Sequence, residues 1–200
     1  MKAQLINLEN KKILITGASR GLGRSIALHL ATLGAQIAFT YNRSSEDAAK
    51  TLEMLREISD LEHLSLKINA LNFEECMSLT KKIKETWKDL DILINNAGIT
   101  RDRTLLKMSE EEWQSVIDVN LKGVFNCTKS VVPHMKTNGY GRIVTAASNV
   151  ALRGNFGQTN YAATKAAVIA MAKTWTLEFG RYGITSNCVA PGFTLTEMTA

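Results

Sequence analysis

The chain has 200 residues, 45% hydrophobic and 22% charged. That is ordinary for one soluble globular domain spanning 1–200 with a sizeable core. No apolar run approaches the ~18 residues a membrane span needs, and Met1–Asn10 shows no apolar core or small-residue cleavage site, so no signal peptide is expected. The net charge of +5 is scattered rather than gathered in a basic stripe with aromatics, which argues against nucleic acid and suits an anionic small ligand or an acidic partner.

In chain order, Lys12–Thr16 is a short apolar run and reads as a buried strand. The turn Gly17-Ala18-Ser19-Arg20-Gly21-Leu22-Gly23 follows, then a helix with Ile26, Ala27, Leu30 and Leu33 on its apolar face. Gly34 ends that helix and Gln36–Thr40 is the next strand, which completes a βαβ unit with a glycine-rich first turn. A helix is expected over 45–58, a strand over 62–68 and a helix over 73–88 with Cys76, Leu79, Ile83 and Trp87 at helical spacing. Lys81, Lys82 and Lys84 stand beside Glu74, Glu75 and Glu85 as a solvated helix face.

A fourth strand, Asp91–Ile94, runs into Asn95-Asn96-Ala97-Gly98. Ser109 and Glu112 form a capping-box pattern that opens one long helix through Trp113, Val116, Asn120, Val124 and Val131, broken at Gly139 and Gly141. Arg142–Ala147 is the fifth strand and ends at Ser148. A loop rich in Gly and Asn leads to a helix carrying Tyr161 and running to about Tyr182, and Ile184–Ala190 is the sixth strand, closed by Pro191-Gly192. This alternation predicts an α/β fold, a doubly wound parallel sheet of the Rossmann type with helices on both faces. Ligands of such sheets bind at the carboxyl ends of the strands. Cys76, Cys127 and Cys188 fit no disulfide framework or metal spacing and read as buried small hydrophobes in a reducing cytoplasm.

Each motif carries a chemistry. Gly17, Gly21 and Gly23 lie between a strand and a helix, where missing Cβ atoms let the backbone approach a pyrophosphate at the helix N-terminus. The alternative is a tight strand-to-helix turn. An acid closing the second strand would select an unphosphorylated adenosine ribose. The chain instead reads Thr40-Tyr41-Asn42-Arg43-Ser44, and Arg20 with Arg43 can flank a 2′-phosphate, which favours NADP(H) over NAD(H). Tyr161 and Lys165, four residues apart, share one helical face. An ammonium beside a phenol lowers its pKa from ~10 and makes a proton donor, although Tyr-x-x-x-Lys also occurs by chance. Ser148 can hydrogen-bond a substrate carbonyl or alcohol. A nucleophilic serine is the rival, but no Gly-x-Ser-x-Gly elbow surrounds it and His29, His63 and His134 form no triad pattern. Asn120, in mid-helix, gains interest if a water chain to Lys165 is needed.

Together, Thr16–Gly23, Asn95–Gly98, Asn120, Ser148, Tyr161-x-x-x-Lys165 and Pro191-Gly192 resemble the short-chain dehydrogenase/reductase family over essentially the whole chain. Within it, Gly98–Asp102, Gly141–Val144, Gly157–Ala163 and Val189–Phe193 are most similar to the β-ketoacyl-[acyl-carrier-protein] reductases of fatty-acid synthesis. The resemblance implies Tyr161 as general acid, Lys165 as holder of the nicotinamide ribose and Ser148 as the group that orients the ketone. It implies Asn120 as holder of a proton-relay water. Asn96, Ala97 and Gly98 would line the riboses, with Asn95 bracing the sheet, and Asn69 and Ala70 would meet the adenine. Gly17, Ser19, Arg20, Gly21, Leu22, Gly23, Asn42 and Arg43 complete the cofactor set, with Pro191, Gly192 and Thr194 at the carboxamide. Gln158 joins Ser148 and Tyr161 at the substrate.

The activity so implied is NADPH-dependent reduction of an acyl-carrier-protein-linked 3-oxoacyl thioester, in a cytoplasmic homo-oligomer, tetramer or dimer. Lys129, Lys136, Arg153 and Arg181 are candidates to meet the carrier protein. Alternatives are a related reductase acting on acetoacetyl-CoA or another carbonyl or alcohol, and a catalytically weak NADP-binding subunit. The family usually continues beyond the length of this chain, so a C-terminal shortening with a missing last strand is expected, which would leave the sixth strand as an edge.

Overall fold

The computed structural model describes residues 6–194. The segments 1–5, part of the stretch read for a signal peptide, and 195–200 lie outside the described residues. Strands β1 (Lys12–Ile15), β2 (Gln36–Tyr41), β3 (Leu64–Lys67), β4 (Ile92–Asn95), β5 (Gly141–Ala146) and β6 (Ile184–Val189) alternate with helices. The helices are α1 (Gly21–Thr32), α2 (Ser45–Ile58), α3 (Phe73–Trp87), α4 (Glu110–Ile117), α5 (Gly123–Asn138), α6 (Val150–Arg153) and α7 (Thr159–Phe179). The strands form one parallel sheet in the order β3-β2-β1-β4-β5-β6. The order reverses between β1 and β4, and that switch point is where a doubly wound sheet opens a crevice.

Successive residues of a strand point to opposite faces, and the core divides accordingly. Ile13, Ile15, Ile37 and Phe39 pack with Ala27 and Ala31 of α1 and Ala48 and Leu55 of α2. Leu14, Ala38, Leu93, Ile143 and Ile184 pack on the other face with Cys76, Leu79 and Ile83 of α3 and Cys127, Val131 and Met135 of α5. Val168 and Trp175 seat α7 against Val124 of α5 and Ala147. Over β5 and β6 the covering is one-sided. Gly141, Ile143, Thr145, Ile184 and Ser186 are buried, whereas Arg142, Val144 and Ala146 are half-buried and Thr185, Asn187 and Val189 exposed.

Three expectations change. The strand read over 62–68 shortens to β3, because His63 is drawn to β2, where its Nδ1 accepts from the Ile37 amide at 3.1 Å. The Gly- and Asn-rich loop after Ser148 contains the short helix α6. The single helix from Ser109 is interrupted by a π turn over Asp118–Lys122, where the Gly123 amide donates to the Asp118 carbonyl. Asn120 lies within that turn with both ends of its amide bonded to the Ile99 backbone, which locks the extra residue in place.

Candidate active site

The first turn is built on β4. Thr16 Oγ1 accepts from the backbone amides of Asn96 (3.0 Å) and Ala97 (3.1 Å), and Asn96 Nδ2 donates to the carbonyls of Thr16 and Gly17, each at 3.0 Å. A Cβ on Gly17 would lie 2.8 Å from Ala97 Cα, and one on Gly23 would lie 2.5 Å from Asn96 Nδ2. Gly17 also holds φ +67° and Gly21 φ +56°, conformations that cost an L-residue. Gly17 and Gly23 are therefore required by packing on the end of β4, a purpose the sequence reading did not assign them. The N-terminus of α1 has Arg20 as N-cap, no side-chain cap and no acid in its first turn. Amides so presented, with a buried Ser19 and half-buried Leu22 alongside, fit an anionic pyrophosphate.

Beyond the turn, Arg20 Nη1 reaches Ser44 Oγ at 3.4 Å and Asp47 Oδ2 at 3.5 Å. This places the glycine turn against the loop that carries the exposed Asn42 and Arg43. Asp47 lies beyond the end of the second strand, in the first turn of α2, where the rule for a ribose-binding acid does not point. Asn69, exposed at the end of β3, folds its Oδ1 onto the Leu71 amide (3.2 Å). The Ala70 carbonyl accepts from Asn126 Nδ2 at 2.8 Å. Asn95 Nδ2 ties β4 to Thr128 of α5 (3.0 Å) and Thr145 of β5 (3.3 Å).

The second cluster sits across the crevice. Ser148 follows β5, buried, its Oγ accepting from the Val150 amide at 3.2 Å and donating to Asn149 Oδ1 at 3.4 Å. Tyr161 lies in the first turn of α7, and Lys165 Nζ is 5.6 Å from its ring centroid. Lys165 is 5% exposed and donates to the Ala146 carbonyl at 2.5 Å. Burial lowers its pKa to about 8, against a smaller opposing effect from Cys188. The phenol of Tyr161 departs from expectation. Its pKa is raised, first by burial, with a hydrogen bond to Ser148 pulling it down and the charge of Asp102 pushing it up. The expected lowering by Lys165 is absent because the ammonium is directed at Ala146 rather than at the phenol oxygen. Asn120 Nδ2 donates to the Ile99 carbonyl (3.0 Å) and to Thr164 Oγ1 (3.4 Å), and its Oδ1 accepts from the Ile99 amide (2.8 Å). A Cβ on Gly98 would lie 3.3 Å from Asn120 Oδ1 and 3.7 Å from Lys165 Nζ, so these three residues meet.

Gln158 Nε2 donates to Asp102 Oδ2 at 2.7 Å, which joins the loop after β4 to the start of α7. Two further residues of the Tyr161 stretch, without a role expected from the sequence, belong to this joint. Buried Asn160 donates to the Arg101 carbonyl (2.9 Å) and accepts from the Tyr161 amide (2.7 Å), and Thr164 Oγ1 donates to the Tyr161 carbonyl (2.8 Å). A polar residue flanking Tyr161 was the available signal. The Pro191 carbonyl accepts from the Asn149 amide at 3.1 Å, bringing Pro191 and Gly192 beside Ser148. Thr194 Oγ1 donates back to the Gly192 carbonyl at 3.4 Å. The candidates thus gather at the carboxyl ends of all six described strands, one group around the glycine turn and the loops after β2, β3 and β4, the other around Ser148, Tyr161 and Lys165.

Residues 11–200 match the short chain dehydrogenase family model. The 3-oxoacyl-[acyl-carrier-protein] reductase FabG of Staphylococcus epidermidis is 45% identical over 190 residues, covering 95% of this chain and 78% of that protein. The FabG of Thermotoga maritima is 42% identical, covering 97% and 78%. Among solved structures, a protein described as a short-chain alcohol dehydrogenase from Sinorhizobium meliloti superposes with a TM-score of 0.91 at 33% identity, covering 97% of this chain and 76% of that one. A family match over residues 11–200, with relatives of this similarity over most of the chain, makes this chain an oxidoreductase that belongs to the short-chain dehydrogenase family.

Proposed function

We propose that this chain reduces a 3-oxoacyl thioester, carried on acyl carrier protein, to the 3-hydroxyacyl thioester with NADPH. The observation that carries the reading is the meeting of Ser148, Tyr161 and Lys165 at one end of the sheet. It is joined to relatives at 42–45% identity that bear that name.

When bound, the nicotinamide cofactor supplies the hydride that goes to the ketone carbon. The protein's own part is to bind, orient and move a proton. The Gly17–Gly23 turn and the α1 amides would hold the pyrophosphate. Arg20, with Asn42 and Arg43 beside it, would meet the 2′-phosphate, and Asn69 and Ala70 would border the adenine. Asn96, Ala97, Gly98 and Lys165 would serve the riboses, and Pro191, Gly192 and Thr194 the carboxamide. Ser148 donates to the ketone oxygen and fixes its direction. Tyr161 gives that oxygen its proton, and the raised phenol pKa keeps the proton in place until it is needed. Lys165, charged below pH about 8 and anchored on the Ala146 carbonyl, would hold the nicotinamide ribose beside Tyr161. Asn120 holds Ile99 and Gly98 in register with Lys165 and lies on the route by which the proton is replaced.

The surface suits such a partner. Lys129 and Arg153 are exposed, and Lys136 and Arg181 lie over the Tyr182 ring at 4.3 and 4.8 Å. Phe125 on α5 and Leu177 on α7 are exposed at 44% and 85%, which supports a homo-oligomer built on these helices. The three cysteines fit no disulfide framework or metal spacing, the ground on which a reducing cytoplasm is proposed. No described helix is long and apolar enough to cross a membrane.

The test is loss of reduced-nicotinamide absorbance with a carrier-protein-linked 3-oxoacyl substrate and with acetoacetyl-CoA, on the native chain and on Tyr161→Phe. Turnover with the carrier-protein substrate that falls by ~10³-fold or more in the variant supports the reading. Preference for acetoacetyl-CoA or another carbonyl would move the assignment to a related reductase. Tight NADPH binding without turnover would make the chain a binding subunit.

A further inference from the structure

We infer that Asp47 sets how strongly this site prefers a 2′-phosphorylated adenosine ribose, by competing with the phosphate for Arg20. The inference rests on the proposal that the adenosine end of the cofactor lies against Arg20 and Arg43.

Two arginines flank Asp47, and they are held very differently. Arg24 has only 17% of its side chain exposed. Its Nε donates to Thr51 Oγ1 at 2.7 Å and to the Ser19 carbonyl at 3.1 Å, and its Nη2 donates to the same carbonyl at 2.5 Å and to the Asp47 carbonyl at 3.2 Å. Thr51 Oγ1 adds a third bond to the Ser19 carbonyl at 2.8 Å. Arg24 is thus committed to bracing the glycine turn and is not free to turn toward a ligand. Arg20 is 56% exposed and touches Ser44 and Asp47 only at 3.4 and 3.5 Å, both through Nη1. It is the mobile cation of the pair.

Asp47 cannot follow Arg20 away. Its Oδ1 lies 3.4 Å from Arg24 Nη2, and it belongs to the first turn of α2, where the helix dipole favours a carboxylate. A phosphate taking up Arg20 would bring its negative charge close to a fixed carboxylate that uses the same guanidinium. A ribose hydroxyl in that place carries no charge and can donate to the carboxylate. Asp47 therefore works against the selectivity that Arg20 and Arg43 create, and the site discriminates less than its arginines alone would.

The experiment is a binding titration of NADPH, NADH and adenosine 2′,5′-bisphosphate, by calorimetry, on the native chain, Asp47→Asn, Arg20→Gln and the double variant. Asp47→Asn keeps the backbone contact to Arg24. Its NADPH and bisphosphate dissociation constants should fall by about threefold to tenfold, the scale of one partly screened charge a few ångströms away. NADH should be unchanged or weaker. The gain should shrink when Arg20→Gln is added. A thermal melt of each variant checks folding, and Asp47→Ser gives the same comparison should Asp47→Asn fail to fold. Unchanged or weaker NADPH binding in a folded Asp47 variant, against a native chain that prefers NADPH, overturns the inference, since Asp47 would then be positioning Arg20. A native chain with no preference for NADPH over NADH, insensitive to Arg20→Gln, overturns the placement of the adenosine end itself and the inference with it.

Discussion

Tyr161 and Lys165 are one helical turn apart, yet they titrate in opposite senses from the simple pairing picture. Burial raises the phenol and lowers the ammonium to about 8. In the proposed reduction the acid, Tyr161, must be protonated and Lys165 charged to hold the nicotinamide ribose. The phenol meets its condition throughout the neutral range, so the lysine sets the alkaline limit. We expect kcat for reduction to decline as pH rises through about 8, and Lys165→Arg, whose guanidinium stays charged, to lose that decline. A pH profile of both chains checks it. Ser148→Ala should lower kcat by roughly 10²–10³-fold, as for removal of one donor to a developing oxyanion. KM should change little, because the bond strengthens in the transition state. Steady-state kinetics would separate the two effects.

At the scale of elements, two polar side chains act as rivets. Asn120, fully buried in the π turn, satisfies both the N–H and the C=O of Ile99. Asn120→Leu would leave both groups of half-buried Ile99 without this partner, at up to about 1–3 kcal/mol each, and should also loosen Gly98 against Lys165. Urea unfolding together with NADPH titration would show the two losses jointly. His63 joins β2 to the start of β3. Its Nδ1 accepts from Ile37 and its Nε2 pairs with Ser59 Oγ at 2.9 Å, so the ring must keep Nδ1 unprotonated. Burial holds its pKa below the usual 6.5. A base with a lowered folded pKa contributes stability that is complete above 6.5 and is lost as pH falls through the folded value. The denaturation midpoint should therefore drop as pH falls below 6.5, the ordinary value of the ring. His63→Gln should be less stable at neutral pH and lose part of that acid sensitivity.

At the scale of the molecule, the sheet order reverses between β1 and β4, where the glycine turn meets Asn96 and Ala97, while Ser148 follows β5 and Pro191 follows β6 beside it. The net charge of +5 gives the molecule a field suited to an anionic partner. We expect KM for a carrier-protein-linked substrate to rise several-fold between about 0.05 and 0.5 M salt, where the screening length contracts. A neutral short thioester analogue should show little change. Equal salt responses would show that the carrier protein's charge is not read by this surface.

The sequence by itself determined the element types, the parallel sheet and the residues gathered at its carboxyl end. Apolar runs, helical spacing and glycine-rich turns are local signals, and Gly17, Ser148, Tyr161 and Lys165 each sit where a local rule places them. Tertiary structure decided the rest. The π turn at Asn120 depends on Ile99, which lies 21 residues away. The protonation of Tyr161 depends on burial, then on Ser148 and Asp102, rather than on its neighbour along the helix. Gly17 and Gly23 answer to the end of β4, and Asp47 meets Arg20 from another helix. These are contacts between residues distant in the chain, and no periodicity or spacing encodes which of them will form.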